Sequence, residues 1–93
     1  MANFTVRVEL HKATWDDYDV LHAAMERKGF SRRLRGDNGL DYRLPWAEYS
    51  GSGNLSCEQV RDIARQAANE TGKGNSVLVT EAVRWAWSGL QVA

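Results

Sequence analysis

A single cysteine, Cys57, leaves the chain unable to close an internal disulfide, which fits a reducing compartment. No stretch approaches the roughly 18 consecutive apolar residues of a membrane helix, and the opening MANFTVRVELHK lacks the apolar core of a signal peptide. A soluble, cytoplasmic protein with no membrane partner is therefore expected. Excess charge of one sign is absent too: 12 basic and 12 acidic side chains cancel. That balance counts against a protein that coats nucleic acid wholesale. Two histidines in 93 residues form no paired spacing with each other or with Cys57, so no zinc site is indicated. Neither Gly36-Asp37-Asn38-Gly39 nor Gly51-Ser52-Gly53 carries the Lys-Ser/Thr of a nucleotide loop. No cofactor is called for, although Mg²⁺ asks for only one or two carboxylates and stays open.

Within the neutral total, charge is uneven. Arg32, Arg33 and Arg35 cluster without an acid at 31–36, while Asp16, Asp17 and Asp19 cluster without a base at 14–19. Around these poles the chain reads as one small domain. Residues 3–11 alternate strictly, with Phe4, Val6, Val8 and Leu10 on one side and Thr5, Arg7, Glu9 and His11 on the other, as in a half-buried strand. Thr14 followed by acids is a helix start, Trp15, Tyr18, Leu21, His22 and Met25 recur at helical spacing, and Gly29 is a stop. Residues 30–35 and 40–49 read as strands joined at 36–39, where glycine and Asn38 supply positive φ; Pro45 marks a bulge. Ser50-Gly51-Ser52-Gly53 reads as a flexible connector. Ser56 and Gln59 have capping-box spacing before a stripe of Val60, Ile63, Ala64, Ala67 and Ala68, and SVLVTEAVRWAW is rich in strand formers. The order β-α-β-β-α-β predicts an α+β, ferredoxin-like fold with both helices on one face of a four- or five-stranded, antiparallel-rich sheet.

Three features carry candidate chemistry. Arg32, Arg33 and Arg35 near a hairpin tip can grip phosphate oxygens, or they can protect a sheet edge from strand addition. Arg7, Glu9 and His11, joined by Asp41 and Arg43 from the third strand, would give the polar sheet face an acid, a base and cations for RNA cleavage; the alternative is a solvated or dimer-buried face. No aromatic stands in the row of Thr5, Arg7, Glu9 and His11, and no Lys/Arg-Gly-Phe/Tyr motif occurs, so a base-stacking sheet of the RNA-recognition type is not indicated. Four tryptophans are many for this length. Trp15 and Trp46 fit core or rim positions, while Trp85 and Trp87 share a face if the last segment stays extended, and they could form a protein interface or a homodimer. Cys57 at a helix start and His22 on the first helix read as packing residues.

Taken end to end, the segments FTVRVELH, GFSR, YRLPWAEY, TGKGNSVLVTE and WSGL resemble the GhoS-type endoribonuclease antitoxins of type V toxin–antitoxin systems. The resemblance spans nearly the whole chain and implies the same element order. It also implies cleavage of the messenger of a small membrane-active toxin, on a fold similar to that of the small nucleases of CRISPR adaptation. Those nucleases carry an aspartate near the end of the first strand, where this chain has Glu9, Leu10 and His11. The activity this implies is a sequence-selective endoribonuclease, acting as a homodimer. The resemblance makes Arg7, Arg32, Arg33, Arg35 and Arg43 candidate phosphate contacts, while no catalytic residue carries over by motif and His11 and Glu9 of the sheet face are the acid–base candidates. A protein-binding module, such as a phage or prophage inhibitor docking through Trp85 and Trp87 or through the acidic Asp16–Asp19 pole, is the reading from a different class.

Overall fold

A strand that alternates apolar and polar side chains can bury only one of its faces. In the computed structural model, which describes residues 1–93, that strand is β1 (Ala2–Leu10). Phe4, Val6, Val8 and Leu10 are each no more than 6% exposed. Helices α1 (Trp15–Arg27) and α2 (Cys57–Asn69) cover this row, with Leu21, Ala24 and Met25 from one and Val60, Ala64, Ala67 and Ala68 from the other. The alanines of α2 have no side chain beyond Cβ, so the helix lies close to the sheet. Both helix starts are closed by capping boxes, Ser56 with Gln59 as the spacing predicts and Thr14 with Asp17 where the sequence indicates only an N-cap ahead of acids. No helix is long and apolar enough to cross a membrane.

Five strands fall into two antiparallel sheets. The larger has the order β4 (Glu48–Gly53), β1, β5 (Asn75–Ala82); the smaller pairs β2 (Arg33–Arg35) with β3 (Asp41–Arg43). The fold is thus α+β, with both helices on one face of the main sheet, but the expected single sheet is divided. The cause lies in residues 44–47. Pro45 has no N–H to give a ladder, the Pro45 carbonyl accepts from Glu48 N at 3.1 Å, and Ala47 adopts a φ of 60°. This tight turn ends β3 at Arg43 and starts β4 in a new direction. The expected strand over 40–49 is therefore two strands. Ser50 to Gly53, expected as a connector, completes β4 and pairs with Ala2 to Thr5 of β1. A bridge between Ser31 and Ser50, with N–H to carbonyl distances of 2.7 and 2.8 Å both ways, ties the chain before β2 to the outer side of β4.

Two other expectations shift. In the hairpin turn only Gly39 takes a positive φ, 81°; Asn38 contributes its side chain instead, with Oδ1 accepting from Leu40 N at 3.1 Å. The last strand stops at Ala82, and the chain then turns back so that Tyr42 pairs with Val92, Arg43 N donates to Gln91 O at 2.8 Å and Ala93 N donates to Asp41 O at 2.9 Å. The terminal segment thus lines the free side of β3.

Gly51 shows how closely β4 meets the end of α1. A Cβ built there would lie 2.6 Å from the ring of Phe30, which is only 5% exposed. Gly51→Ala is expected to push this ring out of its site and cost about 1–3 kcal/mol, read as a lower urea midpoint with an unchanged slope.

Candidate functional site

The polar face of the main sheet is assembled by strand register. Arg7 stands opposite both Glu48 of β4 and Leu78 of β5, and Glu9 stands opposite Ser76. His11 lies just past the end of β1, held by its N–H donating to Gly74 O at 2.8 Å. Its Nε2 is 3.1 Å from Ser76 Oγ and 3.8 Å from Glu9 Oε1. Arg7, Glu9, Ser76 and Leu78 border one shallow depression of about 270 Å³. Three expected residues, Arg7, Glu9 and His11, therefore meet on one face, and Ser76 joins them. The sequence offered no signal for Ser76, because its place beside His11 depends on the β1–β5 register. Both hydroxyl and carboxylate lie on the same imidazole nitrogen, so this is not a relay in which a carboxylate orients the far side of the ring. It is an exposed cluster able to donate and accept protons beside a cation.

Asp41 and Arg43 do not join that face. They belong to the β2–β3 sheet, where Arg33 stands opposite Arg43 and Arg35 opposite Asp41. Arg35 donates through Nε to Asp41 Oδ1 at 2.8 Å and through Nη2 to Oδ2 at 3.3 Å. The Arg35 hydrogen bond holds the Asp41 carboxyl below its ordinary value, and the same bond raises the guanidinium. Arg33 and Arg43 have no carboxylate within 4.0 Å, nor do Arg7 and Arg32. One face of the hairpin thus presents two opposed free guanidiniums and one neutralised pair. The four expected hairpin arginines are gathered into one region, with Arg35 already engaged.

Arg32 points to a second cluster. Its guanidinium carbon is 5.3 Å from the Trp46 ring centre, a cation–π arrangement. Trp46, displaced from the strand by the turn at Pro45, packs edge-on against Trp15 at 5.0 Å and against His22 at 4.9 Å, with Tyr18 at 5.5 Å. Ala13, Thr14, Trp15, Tyr18 and Trp46 line an open cup of about 460 Å³. Trp15, which helical spacing placed with the apolar stripe, is 74% exposed at its rim. Behind Trp46, His22 Nδ1 and the Tyr49 hydroxyl are 2.6 Å apart, with Tyr49 fully buried and His22 only 7% exposed. The hydroxyl has no other acceptor, so the network assigns it as donor to Nδ1 and leaves the proton on Nε2, which has no hydrogen-bond partner. His22 is thus a buried polar link as well as a packing residue. Burial lowers its pKa, Arg32 lowers it further, and Asp19 and Glu26 oppose. Burial likewise raises the Tyr49 phenol.

Trp85 and Trp87 lie beyond β5, so they do not share a strand face. Trp87 packs on Tyr42 at 5.3 Å, and both tryptophans border a depression with Thr5, Leu34, Pro45 and Glu48 while remaining 37% exposed. Cys57 is a partly buried free thiol packed against the core. No group of three or more His, Cys, Asp or Glu side chains is placed to hold a metal ion. No family model matches the chain, and no curated protein matches it either.

The sign of the His22 shift gives a stability prediction. Its folded pKa lies below the ordinary 6.5, so between the two values the unfolded chain binds the extra proton. Stability is full above pH 6.5 and is lost as pH falls through that value toward the folded pKa. Urea midpoints measured from pH 7.5 to 5 (about 1.4 kcal/mol per unit of pKa separation) should fall more for the native chain than for His22→Gln. Parallel curves would show that the buried imidazole does not titrate with unfolding.

Proposed function

We propose that the chain is an RNA-directed, antitoxin-like protein of ferredoxin-like architecture that acts as a sequence-selective endoribonuclease. The observation that carries this reading is the opposed pair Arg33 and Arg43, which has no carboxylate partner. Like charges directly opposite on neighbouring strands are destabilising. A phosphate between them removes the repulsion and accepts charge-assisted hydrogen bonds from both. Edge protection needs single charges spread along a strand, not two facing each other. The architectural part is supported by the run β5, β1, β4 and then Ser31 beyond β4, which is the order of a split βαβ sheet; the β2–β3 hairpin is the departure from it.

For cleavage, His11 and Glu9 serve as the acid–base pair and Arg7 as the phosphate cation. One of the pair takes the proton of a 2′-hydroxyl, whose oxygen attacks the adjacent phosphorus. The 5′-oxygen leaves with a proton from the other. The products are a 2′,3′-cyclic phosphate and a 5′-hydroxyl end, and no other reactant is needed. A second reading, a protein-binding module, is favoured by the exposed edges of Trp85 and Trp87.

Two variants separate these readings. Arg33→Ala/Arg43→Ala should weaken RNA binding and lower the slope of log affinity against log salt by about 2, one for each lost phosphate contact. His11→Ala should leave binding intact and reduce cleavage by roughly 100-fold or more. Binding by the native chain that is insensitive to salt and to the arginine pair would sink the RNA reading and favour a protein partner. Full cleavage by His11→Ala would remove His11 from the mechanism.

A further inference from the structure

We propose that the cup formed by Trp15, Tyr18 and Trp46 is a nucleobase site, so that the RNA recognised is single-stranded with an unstacked base. This inference rests on the RNA reading above and narrows its substrate. Sequence-tolerant binding of single strands combines aromatic faces, on which bases stack, with guanidiniums that track the backbone. Both parts adjoin here. Trp15 offers a largely free indole and Trp46 a perpendicular wall, with the two planes at 75°. The volume of about 460 Å³ lies within the roughly 300–1,000 Å³ of small-molecule pockets.

The cup is also continuous with the phosphate-binding face. Arg32, stacked on Trp46, has no carboxylate partner and directly precedes Arg33, and its carbonyl accepts from Leu44 N at 2.8 Å beside Arg43. Arg32 sits at the bend before β2, so its guanidinium lies on Trp46 while Arg33 begins the ladder opposite Arg43. A base in the cup would place its own phosphate near Arg32, and the strand would then run toward Arg33 and Arg43.

Acids of the first turn of α1 adjoin Trp15 and bear on the direction of the strand. Asp17 is engaged by Thr14 N at 2.9 Å and by Lys73 Nζ at 3.8 Å, and the hydrogen bond from Thr14 N lowers its pKa. Asp16 and Asp19 remain exposed and would repel a backbone running along α1. The strand is then directed from the cup toward Arg32. A cationic ammonium group would suit the same aromatic rings and acids, but Trp46 already carries a cation in Arg32, and a second one there meets repulsion.

The test compares fluorescent single-stranded oligoribonucleotides with a duplex of the same sequence, on the native chain, Trp15→Ala, Trp15→Tyr and Arg33→Ala/Arg43→Ala. Trp15 is exposed, so its replacement leaves the core intact. Trp15→Ala should weaken single-strand binding by roughly 5- to 100-fold and leave duplex binding unchanged, since stacking of one base is lost. Trp15→Tyr should restore most of the difference, and the arginine variant should weaken both RNAs alike. Equal single-strand affinity in Trp15→Ala, with the arginine variant impaired, overturns the base site and leaves the RNA reading standing. Failure of the native chain to bind either RNA overturns both. Saturable binding of tetramethylammonium that is lost in Trp15→Ala and unaffected by competing RNA assigns the cup to a cation and overturns the base site.

Discussion

The inward row of β1 is the constraint from which the rest of the molecule follows. Four apolar side chains on one face of a central strand demand cover, and a chain of this length has only two helices to supply it. Both helices must therefore lie on the same side. The opposite row, Thr5, Arg7 and Glu9, is left facing away from them, and neighbouring strands can only add residues of their own outward rows to it. The meeting of Glu9 with Ser76 and of Arg7 with Glu48 is a consequence of this burial, because a shift of one residue would put Phe4, Val6 and Val8 in water.

The turn at Pro45 is the second decision in the fold. Ala47 sits at a φ of 60°, where a residue with a Cβ is strained by about 1 kcal/mol, yet it is buried and its carbonyl accepts from Val8 N at 3.1 Å. The surroundings hold it there. Without this turn, β3 would run straight into β4 and Trp46 would stand on a sheet face. With it, the β2–β3 hairpin leaves the main sheet and Trp46 reaches α1, between Trp15 and His22. One local irregularity thus creates both the arginine hairpin as a separate unit and the aromatic cup beside it.

Much of this frame was legible in the residues. The alternation over 3–11, the Thr14 N-cap and the Ser56–Gln59 capping box identify β1 and both helix starts because those signals are local and tied to backbone geometry. The division of 40–49 was only half legible: Pro45 announces a break, but Ala47 carries no mark of a positive φ. The four residues of Ser50-Gly51-Ser52-Gly53 look like a linker because nothing in them is apolar. They become a strand because Gly51 lets the Phe30 ring lie against the backbone and because β1 needs a partner on that side. The aromatic cup was not legible, since Trp15 and Trp46 are 31 positions apart and helical spacing placed Trp15 with the stripe toward the core. His22 looks like a packing residue in the sequence because its partner, Tyr49, lies on another element.

The distribution of carboxylates among the arginines explains how a neutral protein can hold a basic site. Arg27 is paired with Glu70, Arg35 with Asp41 and Arg61 with Asp62, each at 3.1 Å or less. The pairs at the surface are worth little as stability. Their effect is to cancel charge locally, so that the field of the hairpin comes from Arg32, Arg33 and Arg43, close together in the chain or across the ladder. Net charge reports the sum over the surface, whereas an anion at the hairpin feels only what lies within about one Debye length, on the order of 8–10 Å. At that range the field is set by these guanidiniums and by Glu26, which borders the same depression as Arg33, so the zero total is no argument against a phosphate site.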